Sequence, residues 1–151
     1  MTNKQSLQGG SIIKQPVAIK IRAELDISHA RLTAVKIAEN MGFSSAECCA
    51  VRTSVSELAN NLLFHTTCGG MILINTIENE NKKGIEITAK DDGPGISDIN
   101  LAMQDGYSTG GGLGGGLSGV KRLMDEFEII SKTGAGTCIT TIKWRKQCRQ
   151  R

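Results

Sequence analysis

The chain has 151 residues, 39% hydrophobic and 22% charged, which suits one globular domain burying about two-thirds of its unfolded surface. Its five aromatic residues (Phe43, Phe64, Tyr107, Phe127 and Trp144) are too few for a base-stacking platform, which argues against a single-stranded nucleic-acid binder. Residues 1–22 and 143–151 carry four and five basic side chains and no acid, so residues 23–142 hold −6 against the net +3, a layout that favours a protein partner over a nucleic-acid groove.

The five cysteines (Cys48, Cys49, Cys68, Cys138 and Cys148) make an odd count without a C-x-x-C pair. No apolar run approaches the ~18 residues of a membrane span, and no apolar leader follows Met1. A reduced, cytoplasmic chain with no membrane attachment is expected, and none of the cysteines is assigned a catalytic role.

Residues 1–15 are polar and aperiodic, so an irregular start is expected. Val17–Arg22 alternates as a strand. Asp26 is the expected cap of a first helix with Ile27, Ala30, Ala34, Val35, Ala38 and Met41 on its apolar side, stopped by Gly42. Ser44-x-x-Glu47 is a capping box that opens a longer second helix to about His65, apolar at Val51, Val55, Leu58 and Leu62. Met71–Ile77 and Gly84–Lys90 read as paired strands. Leu113–Met124 reads as a short helix, and Glu128–Lys132 and Thr137–Trp144 as a second hairpin. This order predicts helices layered on a mostly antiparallel sheet.

Glu57 and Asn61 stand four apart and share one face of the second helix, which Ala50 and Ser54 extend with small residues that leave room for a bulky ligand. An amide oxygen suits Mg²⁺, and a carboxylate nearby can orient or deprotonate a hydroxyl; a solvated helix face is the alternative. Asp91-Asp92-Gly93-Pro94-Gly95 follows a strand directly. Its carboxylate could accept from an adenine amino group, or the segment could be only a surface turn. Gly110 to Gly116 holds six glycines in seven residues, readable as a phosphate-wrapping cover or as a linker. Thr133–Thr137 is a hairpin turn that could also present the Thr137 hydroxyl. A P-loop is excluded, because Val120 rather than Lys follows Gly119. A dinucleotide fingerprint is excluded as well, because no hydrophobic strand precedes the glycines.

Together these segments resemble the ATP-binding domain shared by gyrase, Hsp90, histidine kinases and MutL (GHKL). Glu57-x-x-x-Asn61 matches its N box, Asp91-x-Gly93-x-Gly95 its first glycine box, Gly112-Leu113-Gly114-Gly115-Gly116-Leu117 its second, and Gly136-Thr137 its terminal element. Within it, the chain is similar to the small bacterial serine/threonine kinases of partner-switching pathways, through Ser56–Ala59, Asp92–Ile96, Gly106–Thr109 and Gly119–Phe127. The similarity covers about residues 17–145; the basic ends and the extra glycines Gly110 and Gly115 depart from the pattern.

The resemblance implies an α+β fold, a two-layer α/β sandwich whose mixed, mostly antiparallel sheet is covered by helices on one face. It implies a flexible extension at 1–16, a kinase domain at 17–145 and a basic tail at 146–151. ATP would lie between the helices and the Asp91–Leu117 segment. Asn61 would coordinate Mg²⁺, Asp91 would bind adenine with Thr137 supporting it through a water, and Gly93 and Gly95 would shape the base pocket. Gly112, Gly114, Gly116 and Leu117 would enclose the phosphates, and Glu57 would be the general base. The implied partners are STAS-domain substrate or scaffold proteins and a PP2C-type phosphatase, with the kinase a monomer or weak dimer. An anti-sigma factor with kinase activity and a nucleotide-gated adaptor with little catalysis are the competing expectations.

Overall fold

A computed structural model of the chain describes residues 12–13, 15–65, 69–91, 93, 103 and 116–146. Its elements are the strands β1 (Ile12–Ile13), β2 (Val17–Ile21), β3 (Gly70–Glu78), β4 (Lys83–Asp91), β5 (Glu126–Lys132) and β6 (Gly136–Trp144), with helices α1 (Glu24–Asn40), α2 (Ser45–His65) and α3 (Gly116–Leu123). The sheet runs β1-β3-β4-β6-β5, with β2 beside β1 on the same edge of β3. Every pairing among the described residues is antiparallel.

Alternation along the strands turns one set of side chains toward the helices. Ile19, Ile21, Ile72, Ile74, Ile85, Ile87, Ala89 and Ile139 are buried there against Ala30, Ala34, Ala38, Val51, Val55, Leu58 and Leu62. Leu117, Val120 and Met124 join the same core from α3 and the residue just beyond it. This is the two-layer sandwich expected from the sequence. On the other face Leu73, Asn75, Ile77, Glu86, Thr88, Thr140 and Ile142 are half-buried.

The turn between α1 and α2 follows from its residues. Gly42 sits at φ 82°, a conformation that costs glycine nothing. Gly42 N–H bonds the Glu39 carbonyl at 3.0 Å and Phe43 N–H the Ala38 carbonyl at 3.0 Å, a Schellman stop. Ser44 then caps α2: its N–H reaches Glu47 Oε1 at 2.8 Å, and Glu47 N–H reaches Ser44 Oγ at 3.1 Å. At the head of α1 the structure corrects the expected cap. The N-cap residue is Ala23, and Asp26 lies inside the first turn, its carboxylate accepting the Arg22 and Ala23 N–H groups at 2.8 and 3.0 Å. The strand β1, paired to Ile77 and Glu78, falls in the stretch expected to be irregular. The last helix begins at Gly116 among the described residues, and β5 begins two residues earlier than its alternation suggests.

One anchor ties the two residues after β6 to the start of α2. Glu47 Oε2 accepts the Lys146 N–H at 2.8 Å, while Arg145 donates to the Met41 carbonyl at 2.8 Å. Lys143, meanwhile, donates to the Leu123 carbonyl at 2.9 Å and so satisfies the exposed end of α3. Burial raises the Glu47 pKa, but the Ser44 and Lys146 N–H bonds, the Ser44 hydroxyl and the charge of Lys143 outweigh it and hold the carboxyl below its ordinary value. A lowered folded pKa makes this contribution complete above the unfolded value and removes it as pH falls through the folded one. Glu47→Gln is therefore expected to cost about 1–2 kcal/mol at neutral pH. Urea denaturation of both proteins at several pH values should show this gap closing in acid.

Candidate nucleotide site

Four of the residues singled out on α2 have different fates. Glu57 is only 4% exposed, and Asn61, one turn on along the same face, is half-buried. Ala50 and Ser54, on the same face, are 8% and 0% exposed. The Ser54 hydroxyl has no hydrogen-bond partner among the described residues. Glu57, Asn61 and Leu62 lie in the C-terminal half of α2.

That half is seated on the sheet by a glycine. A Cβ on Gly70 would stand 2.5 Å from the Lys90 carbonyl oxygen, 2.6 Å from Leu62 Cδ2 and 3.2 Å from Asp91 Cβ. Leu62 adjoins Asn61 in sequence, so a residue without a side chain lets the end of α2 and the end of β4 close on the same point. Only the packing reveals Gly70 as a contact residue. Gly69 has its own constraint: at φ 70°, a Cβ would lie 1.9 Å from the Ile21 carbonyl oxygen.

Asp91 closes β4 and stands opposite Thr137 on β6, which in turn stands opposite Ser131 on β5. The three share the strand phase that faces the helices, so they form one polar row across three strands. Asp91 Oδ1 accepts the Gly93 N–H at 2.8 Å, an Asx-type turn that fixes the carboxylate at the strand end. Thr137 is 8% exposed, with its Oγ1 2.8 Å from Ser131 Oγ. Ser131 has no motif around it and escapes a sequence reading, although it lies directly across from a residue that does not.

Gly116, at φ 69°, and Leu117, 5% exposed, open α3, whose first five residues are all buried. N–H groups at a helix start suit anionic oxygens. Gly95, Gly112 and Gly114 lie outside the described residues. Among the described residues no group of three His, Cys, Asp or Glu side chains comes together as a metal cage. Mg²⁺ needs only one or two protein oxygens when phosphates complete its shell, so the half-buried Asn61 amide oxygen fits it. Burial, then the charges of Glu39 and Glu47, push the Cys48 thiol pKa up, away from a reactive thiolate.

Comparison with known proteins agrees with this geometry. The family model described as "Histidine kinase-, DNA gyrase B-, and HSP90-like ATPase" matches residues 50–147, from α2 to just past β6. The chain is 46% identical over 126 residues to the serine/threonine-protein kinase RsbT of Bacillus subtilis (strain 168), covering 83% of this chain and 94% of that one. It is 31% identical over 122 residues to an anti-sigma F factor of Caldanaerobacter subterraneus, covering 78% and 84%. The crystal structure of the RsbU and RsbW domains of Rv1364c from Mycobacterium tuberculosis superposes with a TM-score of 0.61 at 16% identity. That match takes in 90% of this chain but about a third (34%) of the solved one, and it speaks to the fold. No helix among the described residues is long and apolar enough to cross a membrane.

Gly70→Ala is expected to force Leu62 and the Lys90 carbonyl apart and to cost about 1–3 kcal/mol. Denaturant unfolding measures the loss, and amide exchange should place it at the junction of α2 and β4.

Proposed function

Because the chain belongs to the histidine kinase-, DNA gyrase B- and HSP90-like ATPase family, we propose that it is an ATP-dependent protein serine/threonine kinase of a bacterial partner-switching pathway. The observation that carries this reading is Glu57, a carboxylate almost fully buried one turn before Asn61, on the helix whose end meets Asp91. Near-full-length similarity to a serine/threonine-protein kinase supports it.

Asp91 accepts the amino group of the base, with Thr137 beside it and Gly93 holding the turn. Gly95 shapes the base pocket with Gly93, while Gly112, Gly114, Gly116 and Leu117 enclose the phosphates. The Asn61 oxygen holds Mg²⁺, which when bound neutralises charge on the phosphates. Glu57 takes the proton of the attacking Ser or Thr hydroxyl as its oxygen bonds the γ-phosphorus and the bond to ADP breaks. The acceptor is a STAS-domain antagonist. Its phosphorylation releases the kinase to bind and activate a PP2C-type phosphatase, in the cytoplasm and as a monomer or weak dimer.

Transfer of labelled phosphate from MgATP to a STAS protein of the same organism tests the assignment. Glu57→Gln is expected to lower the rate by about 10²–10⁴-fold, the usual weight of a general base. Asn61→Ala is expected to weaken MgATP binding in calorimetry as well. Full transfer in both variants would overturn the kinase reading. Similarity to anti-sigma F factors supports a second reading, which recovery of a sigma subunit without any phosphatase in co-purification would favour.

A further inference from the structure

The strand β5 closes the sheet order. Among the described residues it pairs with β6 on one side and with no strand on the other. An edge strand presents a row of backbone N–H and C=O groups and is a template for another strand. Alternation splits its residues into two sets. Phe127, Ile129 and Ser131 turn toward the helices and are half-buried, while Glu126, Glu128, Ile130 and Lys132 face the other way and are exposed. Ile130 is 62% exposed and stands between two side chains of opposite charge, Glu128 and Lys132. Neither charge takes part in an ion pair among the described residues.

A row that reads acidic, apolar, basic is its own complement when laid antiparallel on a copy of itself. A two-fold axis perpendicular to the sheet keeps the helices of both copies on one side, so outward residues meet only outward residues. Centring that axis on Glu128 would set two carboxylates against each other. Centring it on Ile129 would set Ile130 against Glu128. Centring it on Ile130 brings the two exposed isoleucines together and places Glu128 of each copy opposite Lys132 of the other. Opposite charges directly across a strand pair stabilise it, and like charges destabilise it.

We propose that β5 is a self-association surface, to which a second copy of this chain adds its own β5 in antiparallel register with Ile130 on the two-fold axis. The two six-stranded sheets then run on as one. The occupant is a second copy because one segment supplies the match for both charges and for the isoleucine between them. Residues 128–132 of each copy make a small interface, so the dimer forms at high protein concentration. Nothing in this proposal depends on the nucleotide site.

Sedimentation velocity of the full chain over a range of concentrations tests it. The wild type is expected to pass from monomer to dimer as concentration rises. Glu128→Lys sets lysine against lysine and Lys132→Glu sets glutamate against glutamate, so each alone should raise the dimer dissociation constant about tenfold or more. Mixing these two variants in equal amounts should restore the dimer, since every contact between positions 128 and 132 in the mixed pair joins opposite charges. Glu126→Lys, outside the paired residues, should leave association unchanged. Thermal unfolding of each variant confirms that folded proteins are compared. A dimer indifferent to both charge reversals, or a mixture that does not re-associate, would overturn the proposal. So would loss of the dimer in Glu126→Lys, the mark of the register centred on Ile129. A wild type that stays monomeric at every concentration would overturn it as well and leave this edge to a strand of another protein.

Discussion

The nucleotide site proposed for this chain depends on where α2 lies across the sheet, and two unlike contacts set that position. At its head the Glu47 carboxylate takes N–H groups from Ser44 and from Lys146, 99 residues away in sequence. Near its tail Leu62 sits against Gly70, at a separation that any side chain there would prevent. Between them Val51, Val55 and Leu58 are fully buried, so the helix has little freedom to roll. Glu57 and Asn61 ride on this seating. Their direction is inherited from packing rather than chosen by the site.

The sheet supplies the complementary half. Its strands end in register, so three polar side chains line up at one end of a surface that is mostly isoleucine, with Ala89, Phe127 and the buried Thr141. Polar groups in such a place need partners. Asp91 finds one in its own turn, and Thr137 and Ser131 find one another. The turn Thr133–Ala135, closed by the Ala135 N–H on the Lys132 carbonyl at 2.9 Å, fixes that register. A slip of one residue would turn Ser131 to the opposite face.

Much of this was legible beforehand wherever a local rule decides the outcome. Gly42 and the Ser44-x-x-Glu47 box mark a helix stop and start because their hydrogen bonds close within four or five residues. The period of the strands shows which isoleucines are core. The spacing of Glu57 and Asn61 gives their common face, and the family resemblance supplied the fold. Illegible features were those made by distant neighbours. The need for glycine at position 70 emerges only once Leu62 and Lys90 are placed around it, and Ser131 looks like an ordinary strand serine until Thr137 stands across from it. Asp26 misleads for a subtler reason: a carboxylate can satisfy the same backbone groups from inside the helix as from its cap.

The strand β6 carries Thr137 at one end and runs on to Lys146 at the other, about 30 Å of extended chain at ~3.3 Å per residue. One continuous segment therefore carries both Thr137 and the N–H that secures Glu47 at the head of α2. Trimming past Trp144 would cut nothing in the row of Asp91, Thr137 and Ser131, yet it would release the rod on which Glu57 and Asn61 are mounted. The far end of β6 and the aim of that helix are a single mechanical property.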